Sequence, residues 1–571
     1  MRNKHINNRI IYIVFILAVT FLISIPLLIP GIEGRYGQDL GFHLNRIEGI
    51  AVELEAGHFP VRMQSFWMDG YGYPVSIYYG DILLYIPALL RMIGVPVVAA
   101  YKLFLVLINL LTVTIAAVCF GKMMNRTSIV FICTLVYVCA SYRLENVYVR
   151  AAVGEVCAGA FLPLIIYGLY RIYKAPKQIS DIEMLKNSII LMLGITGLIN
   201  THILSLEMVG ITIIIVALVL FKKTFTKQVI LTYLCALGLS FIVNMFFIVP
   251  FTDYYLTQDV FINRTAGGAK LIQDSGMTLS ELFNFFKYPF ANGIDAADER
   301  LLVTPGIASI LIIILAIVLM ITKKGNKEIL LYTILSVVLL FVATCYFPWD
   351  VLADNTYVGA FLSQVQFPWR YIGIVVALTS VLLGRILEAI SDKRIFAGIY
   401  IVICASCIVT LTWFTYEYAT YGEFKYYETG EDLNSYDMGY IEYLRMDTSR
   451  ESFTGNIDIE GTGNIELTEQ RGVDRDYIVT DAAGGTNITL PIVNYRGYEI
   501  IDDSGNSIEI SDGDNNLISF TLSSDYTGNL YLRYKQAKDW KYAIIISLFA
   551  VLALIIILIA INRKNVTEEQ Q

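Results

Sequence analysis

The sequence predicts a polytopic α-helical membrane protein of about twelve transmembrane helices, with a β-sandwich domain outside the membrane just before the last helix. Three observations carry this. Hydrophobic residues make up 56% of the 571 and charged residues only 16%, at a mean hydropathy of +0.59, a balance that soluble globular chains do not approach. Apolar stretches long enough to cross a bilayer recur along the chain. One acidic region, 417–539, interrupts them and is patterned in the period of strands.

The first apolar run, 9–30, has no small-residue cleavage site after it, so it reads as a retained first span and not as a removed signal peptide. Further candidate spans fall at 98–121, 127–141, 155–171, 187–201, 203–221, 228–251, 301–322, 328–347, 370–388, 395–416 and 541–562. With the N-terminus cytoplasmic, the basic connectors "MRNKHINNR", "GKMMNR", "YRIYKAPK", "FKKTFTK", "ITKKGNK", "SDKR" and "INRK" all face the same side, as positive-inside bias requires. The chain is therefore expected in the cell membrane with both termini cytoplasmic. "YYGDILLYIPALLRMIGVP" (78–96) would invert every later connector if it crossed, so it is expected to be an external juxtamembrane or re-entrant helix. Residues 1–416 then form a transmembrane domain with external loops 31–97 and 252–300, 417–539 an extracytoplasmic domain, and 540–571 the last helix and tail.

The external domain carries 24 acidic against 9 basic residues, and runs such as "NITLPIVNYRGYEIID" and "YTGNLYLRY" alternate between turn signals. An acidic surface of this kind serves solubility first, and no nucleic-acid partner is expected. The eight cysteines all lie in apolar runs. Cys404 and Cys407 spell C-x-x-C inside "IVICASCIVT" with no other ligand nearby, so they read as small hydrophobes.

The densest ionisable cluster is "GRYGQDLGFHLNRIEGIAVELEAGHFP" (34–60). Read as a helix over 39–54, it places Leu40, Leu44, Ile47, Ala51 and Leu54 on one stripe, suited to lying on a membrane, and Asp39, His43 and Arg46 on the adjacent face. A carboxylate there can act as general base toward a hydroxyl, and an arginine can hold phosphate. The plainer alternative is an interfacial helix whose charges face water, as Glu48 and Glu55 are expected to do. The external half of the membrane domain also prefers arginine: positions 35, 46, 62, 91, 143, 150, 264, 300 and 370, against three lysines. Positive-inside bias depletes both residues outside, so those that remain are candidates for an anion, with ion pairs to Glu145, Glu155 or Asp350 as the alternative use.

The order of a single span, a long external loop with an early acid, "YYG" before an apolar juxtamembrane helix, then "YRLENVYVRAAVGE", "NTHILSLE" and "FLSQVQFPWRY" resembles the bacterial membrane proteins called 6-pyruvoyl-tetrahydropterin synthase-related, close to the YfhO type. By that resemblance the chain is GT-C-like, a relative of the glycosyltransferases that use sugars carried on lipid phosphates. The resemblance puts the early-loop acid at Asp39, where it would activate or position the acceptor hydroxyl. It puts Arg150, Glu155, His202 and Arg370 at the external ends of helices where a lipid phosphate would sit; helical spacing, and not the resemblance, adds His43 and Arg46 as phosphate-binding candidates beside Asp39. It also makes 252–300, with Gly267, Gly268 and Gly276, the counterpart of a mobile external loop. Many members show a second acid beside the first; "GQDLG" does not, so no paired-acid motif supports a divalent metal and no cofactor is expected.

The expected function is sugar transfer from a polyprenyl-phosphate donor to a cell-envelope glycan or lipid acceptor at the outer face. Two rivals stand beside it: a transporter or flippase for a lipid-linked glycan, with Glu207 inside an apparent span as part of its pathway, and a non-catalytic protein that binds a partner through its β domain.

Overall fold

The computed structural model describes residues 2–33, 39–262, 272–286, 302–353, 359, 362–427, 433 and 441–570. Each of the twelve apolar segments overlaps a helix, but they differ in reach. Among the described residues seven helices are long and apolar enough to cross a membrane, or nine if two bent pairs each count as one span. The helices Ile203–Val219, Ile307–Ile321 and Lys327–Val342 have 17, 15 and 16 residues, and at 1.5 Å per residue the last is about 24 Å long, short of a hydrocarbon core of about 30 Å. The sequence windows overran these helices for local reasons. Gly306, at φ +89°, starts Ile307–Ile321 late. Beyond Val342 the backbone leaves the helix to bond Met277, which donates to Ala343 O and accepts from Cys345 N, both at 3.0 Å. The stretch 78–96 holds one helix of 8 residues, Tyr85–Met92, about 12 Å long and unable to cross.

The chain divides into two compact units that do not follow the expected linear domains. One comprises Met1–Leu40, Lys102–Ser240 and Ala266–Tyr426; the other Gly41–Tyr101, Phe241–Thr265 and Tyr427–Gln571. In the first, the helix Lys393–Tyr421 runs past the expected boundary at 416, because Glu417 is buried and does not mark a membrane exit. Strand β1 (Ile32–Glu33) then pairs antiparallel with β2 (Phe424–Lys425).

In the second unit, β3 (Asp458–Glu460), β4 (Asn464–Arg471), β5 (Asp474–Ala482), β6 (Asn487–Val493), β7 (Tyr498–Asp502), β8 (Ser507–Ile508), β9 (Ser511–Asp512), β10 (Leu517–Thr521) and β11 (Tyr526–Tyr534) form two antiparallel sheets. Their orders are β3-β6-β10-β9 and β4-β5-β11-β7-β8. Alternate residues, among them Tyr477, Val479, Leu490, Ile518, Phe520, Leu530 and Leu532, enclose one core, as a strand period of two requires.

This β region is not the separate domain the sequence predicted, because it shares a second core with 41–101. Trp67, Tyr73 and Tyr78 pack there with Val493, Tyr495 and Trp540. The helix Leu40–Glu55 is correspondingly not an amphipathic helix on a lipid surface: its residues from Phe42 to Ala51 are buried on all sides. Gly49 sits where an added Cβ would come within 2.1 Å of Gln64 Oε1, which explains a glycine in mid-helix. Glu48 is not solvated either, since Arg91 Nε and Nη2 grip its two oxygens at 2.7 and 3.0 Å.

Glu53, fully buried, fastens the two parts of this unit. It accepts from Ser65 N at 2.9 Å, Ser65 Oγ at 2.6 Å and Val473 N at 3.2 Å. His58 completes the fastening, with Nδ1 2.8 Å from Glu53 Oε2 and Nε2 3.4 Å from Asp474 Oδ2. The hydrogen bonds to Asp474 and then Glu53, against the opposing effect of burial, push the imidazole up from 6.5 to about 9. A folded-state value above the unfolded one means stability that is full below pH 6.5 and lost as pH rises toward 9. The thermal midpoint of the purified protein is therefore expected to fall between pH 6.5 and 9, and His58→Gln to flatten that fall. An equal slope in both proteins would remove His58 as its cause.

Candidate active site in the helical unit

The site is assembled by the segment that reads "SYRLENVYVRAAVGE". The helix Thr127–Val138 is followed, at a 48° bend, by the helix Ser141–Tyr148, and the chain then turns sharply into the helix Val153–Lys174. Ala151 makes that turn at φ +53°, a left-handed conformation costly for a residue with a Cβ. Tyr142, Asn146 and Arg150 recur every fourth residue, so Ser141–Tyr148 and the turn bring all three toward Glu155 in the next helix.

Glu155 is the hub. Its Oε1 takes Arg150 Nη1 at 2.9 Å and Arg370 Nε at 3.0 Å, and its Oε2 takes Tyr142 OH at 2.6 Å and Asn146 Nδ2 at 3.4 Å. Arg150 also bonds Asn146 Oδ1 at 2.5 Å and lies 4.5 Å over the ring of Trp369. Arg370 donates through Nη1 to Val365 O and Gln366 Oε1, each at 3.0 Å, and rests over Phe367 at 5.0 Å. Gln366 is a second left-handed residue, at φ +61°. As "QFPWR" predicts, Phe367 is extended and Pro368 opens the helical turn Pro368–Tyr371 that leads into Ile372–Ala389.

Asp39 joins this cluster from the end of the first external segment. Its backbone N–H donates to Arg150 O at 3.1 Å. Burial pushes its carboxyl up from 3.8, Arg150 and Arg370 pull it down, and Glu155 adds to the rise. A partly buried acid poised above its usual range, beside two guanidiniums, has the character of a general base. His202 caps the helix Ile203–Val219: its Nδ1 accepts from Ser205 N at 3.2 Å, which puts the proton of a neutral ring on Nε2. A cavity of about 50 Å³ lies against this cluster, lined by Tyr142, Arg143, Asn146, Glu155, Ser205 and Arg370 among others.

Several expected roles change. His43 and Arg46 belong to the other unit, where Arg46 donates to Tyr79 O at 3.3 Å and Gly80 O at 2.9 Å, lies 4.1 Å over the Tyr79 ring, and stands 3.4 Å from His43 Nδ1. His43 and Arg46 keep the expected helical spacing, whereas Asp39 precedes the helix Leu40–Glu55 and is not part of it. Arg370 pairs with Glu155 and not with Asp350. Trp369 is buried and stacked on Phe367 at 5.0 Å. Glu207 does not line the cavity, although Ser205 and Met208 do. Arg62 donates to Phe246 O at 2.6 Å.

Tyr142 and Asn146 were missed as site residues, whereas Arg143 was among the external arginines singled out as candidates for an anion. The four-residue spacing of Tyr142, Asn146 and Arg150 was the available signal. Arg35, Arg264, Arg300, Gly267 and Gly268 lie outside the described residues. Among the described residues no group of three or more His, Cys, Asp or Glu side chains gathers as a metal site would, and all eight cysteines are free thiols.

No family model matches this chain, and no curated protein matches it. Among solved structures it is similar to the cryo-EM structure of the arabinofuranosyltransferase AftD from mycobacteria, at 11% identity and a TM-score of 0.40, over 72% of this chain and 27% of that one. The chain thus spans about a quarter of the length of that protein.

Proposed function

We propose that the chain is a GT-C-type glycosyltransferase that moves a sugar from a polyprenyl-phosphate carrier to a cell-envelope glycan or lipid on the outer face of the membrane. The observation that supports this is convergence: Asp39, the Arg150–Glu155 pair and Arg370 come from three separate stretches of the sequence, were singled out there, and meet around Glu155 in the helical unit, where Glu155 and Arg370 line a cavity. In this reading Asp39 takes the proton from the acceptor hydroxyl as its oxygen attacks the anomeric carbon. The departing group is the lipid phosphate, and Arg150 and Arg370 stabilise its charge through the N–H groups that Glu155 and its neighbours leave free. His202 borders the same cluster through its electrostatic contact with Glu155. The chemistry is proposed as metal-independent because "GQDLG" offers a single acid.

Cells with and without the gene should differ in two pools at once, a lipid-linked sugar accumulating and one envelope glycan losing a substituent. If neither pool changes, the transferase reading fails; a lipid-linked glycan trapped on the inner leaflet would point to the transporter instead.

The reading places the site on the outer face, with both termini inside and 417–539 outside. Single cysteines placed at Asp69 and Asn326 in a background free of the native eight are expected to behave oppositely. Asp69→Cys should react with an impermeant thiol reagent in intact cells and Asn326→Cys should not, and the reverse result would overturn the topology.

A further inference from the structure

We propose that the cavity of the helical unit is an oxyanion-binding site whose charge partner is Arg143. This deepens the transferase reading, on which it rests, by naming a residue that meets the donor's anionic group.

Arg143 lines the cavity, and its position is unlike that of its neighbours. Arg150 and Arg370 share Glu155. Arg143 instead donates to two neutral acceptors, Asn109 Oδ1 at 2.5 Å through Nη2 and Val138 O at 3.4 Å through Nη1, and among the described residues it makes no ion pair with a carboxylate. Asn109 holds the guanidinium in place without neutralising it.

Among the described residues the cavity lining carries two guanidiniums, Arg143 and Arg370, and one carboxylate, Glu155. Glu155 is already shared with Arg150, so the lining is left with a positive charge, and an uncompensated buried charge is costly. An anion in the cavity would remove that cost. A volume of about 50 Å³ holds roughly three or four water-sized groups, the scale of a phosphate or carboxylate head. Around it Tyr142, Asn146 and Ser205 supply polar atoms, and Arg143 can present a planar pair of N–H groups to two oxygens.

The same contacts fit a competing role. Val138 ends the helix Thr127–Val138, so a cation at its carbonyl also serves the negative end of that helix. The two roles separate by what is measured. With the purified full-length protein in detergent, farnesyl phosphate is expected to bind and Arg143→Gln to weaken that binding about 10- to 100-fold, the loss for a charge-assisted hydrogen bond. Arg143→Lys should fall between, keeping the charge and losing the planar contact.

Displacement of farnesyl phosphate by inorganic phosphate would mean the head group alone is recognised, and no displacement that the lipid chain is recognised too. Asn109→Ala, which removes the strut and keeps the cation, should lower the thermal midpoint more than the affinity, and it covers the case in which Arg143→Gln does not fold. Unchanged affinity in Arg143→Gln with only a lower midpoint would overturn the proposal, as would a wild-type protein that binds neither probe. Failure of the transferase reading looks different: Arg143-dependent binding without any sugar transfer would end that reading and leave the site, whereas full transfer by Arg143→Gln would do the opposite.

Discussion

Asp39→Asn is expected to abolish sugar transfer, by about 10²- to 10⁴-fold for loss of a general base, while leaving the protein folded. The hydrogen bond that fixes this residue comes from its backbone N–H to Arg150 O, which the amide side chain does not touch. The carboxyl itself is raised above 3.8, chiefly by burial. An acid whose folded value lies above its unfolded one costs stability above the unfolded value, so a neutral isostere is expected to cost none at neutral pH. Rate and thermal midpoint should thus part company: the rate collapses and the midpoint holds or rises. For the wild type, the acid limb of the pH–rate profile should lie above the range of an exposed aspartate. Glu155 is no substitute base, because both its oxygens are taken by Arg150, Arg370, Tyr142 and Asn146. Full activity in Asp39→Asn would end the assignment of Asp39.

What was legible in the sequence was whatever depends on local pattern. Each span expected from apolar length overlaps a helix, and strand alternation found the sheets between β3 and β11. Pro368 placed the start of the helix that carries Arg370. What was not legible depends on partners distant in sequence. Nothing near Glu48 announces Arg91, 43 residues on, and nothing in 41–101 announces that Trp67 and Tyr73 share a core with Val493 and Tyr495. A helix buried all round and one lying on a membrane can carry the same apolar stripe, and only the neighbours decide. The same limit applies to Asp39, which was expected in one helix with His43 and Arg46 and instead precedes it.

Arg150 and Arg370 illustrate it most sharply, since arginines that face a proposed phosphate were expected to be available and instead converge on one carboxylate. The consequence is the largest stability effect expected in this chain. Glu155→Ala leaves two guanidiniums, 3% and 9% exposed, without the carboxylate they share and with only the Asp39 carboxyl, itself raised by burial, beside them among the described residues. Removing one member of a buried ion network in this way costs about 3–5 kcal/mol, most of it the price of the charges left unpaired. Tyr142 OH and Asn146 Nδ2 lose their acceptor in the same step. Glu155→Gln keeps the volume and one acceptor oxygen, so it is expected to destabilise less, although its NH₂ must then face a donor. Arg370→Lys cannot reproduce the three bonds that Arg370 makes to Glu155, Val365 O and Gln366 and should fall below wild type as well. The order expected for the thermal midpoint of the purified protein is wild type, then Glu155→Gln, then Glu155→Ala. A second measurement separates electrostatics from packing. Pairing Glu155→Ala with Arg370→Met removes one of the stranded charges, and the double variant should recover part of the loss. If it is no more stable than Glu155→Ala alone, the cost lies in the cavity left by the side chain and not in the unpaired arginines.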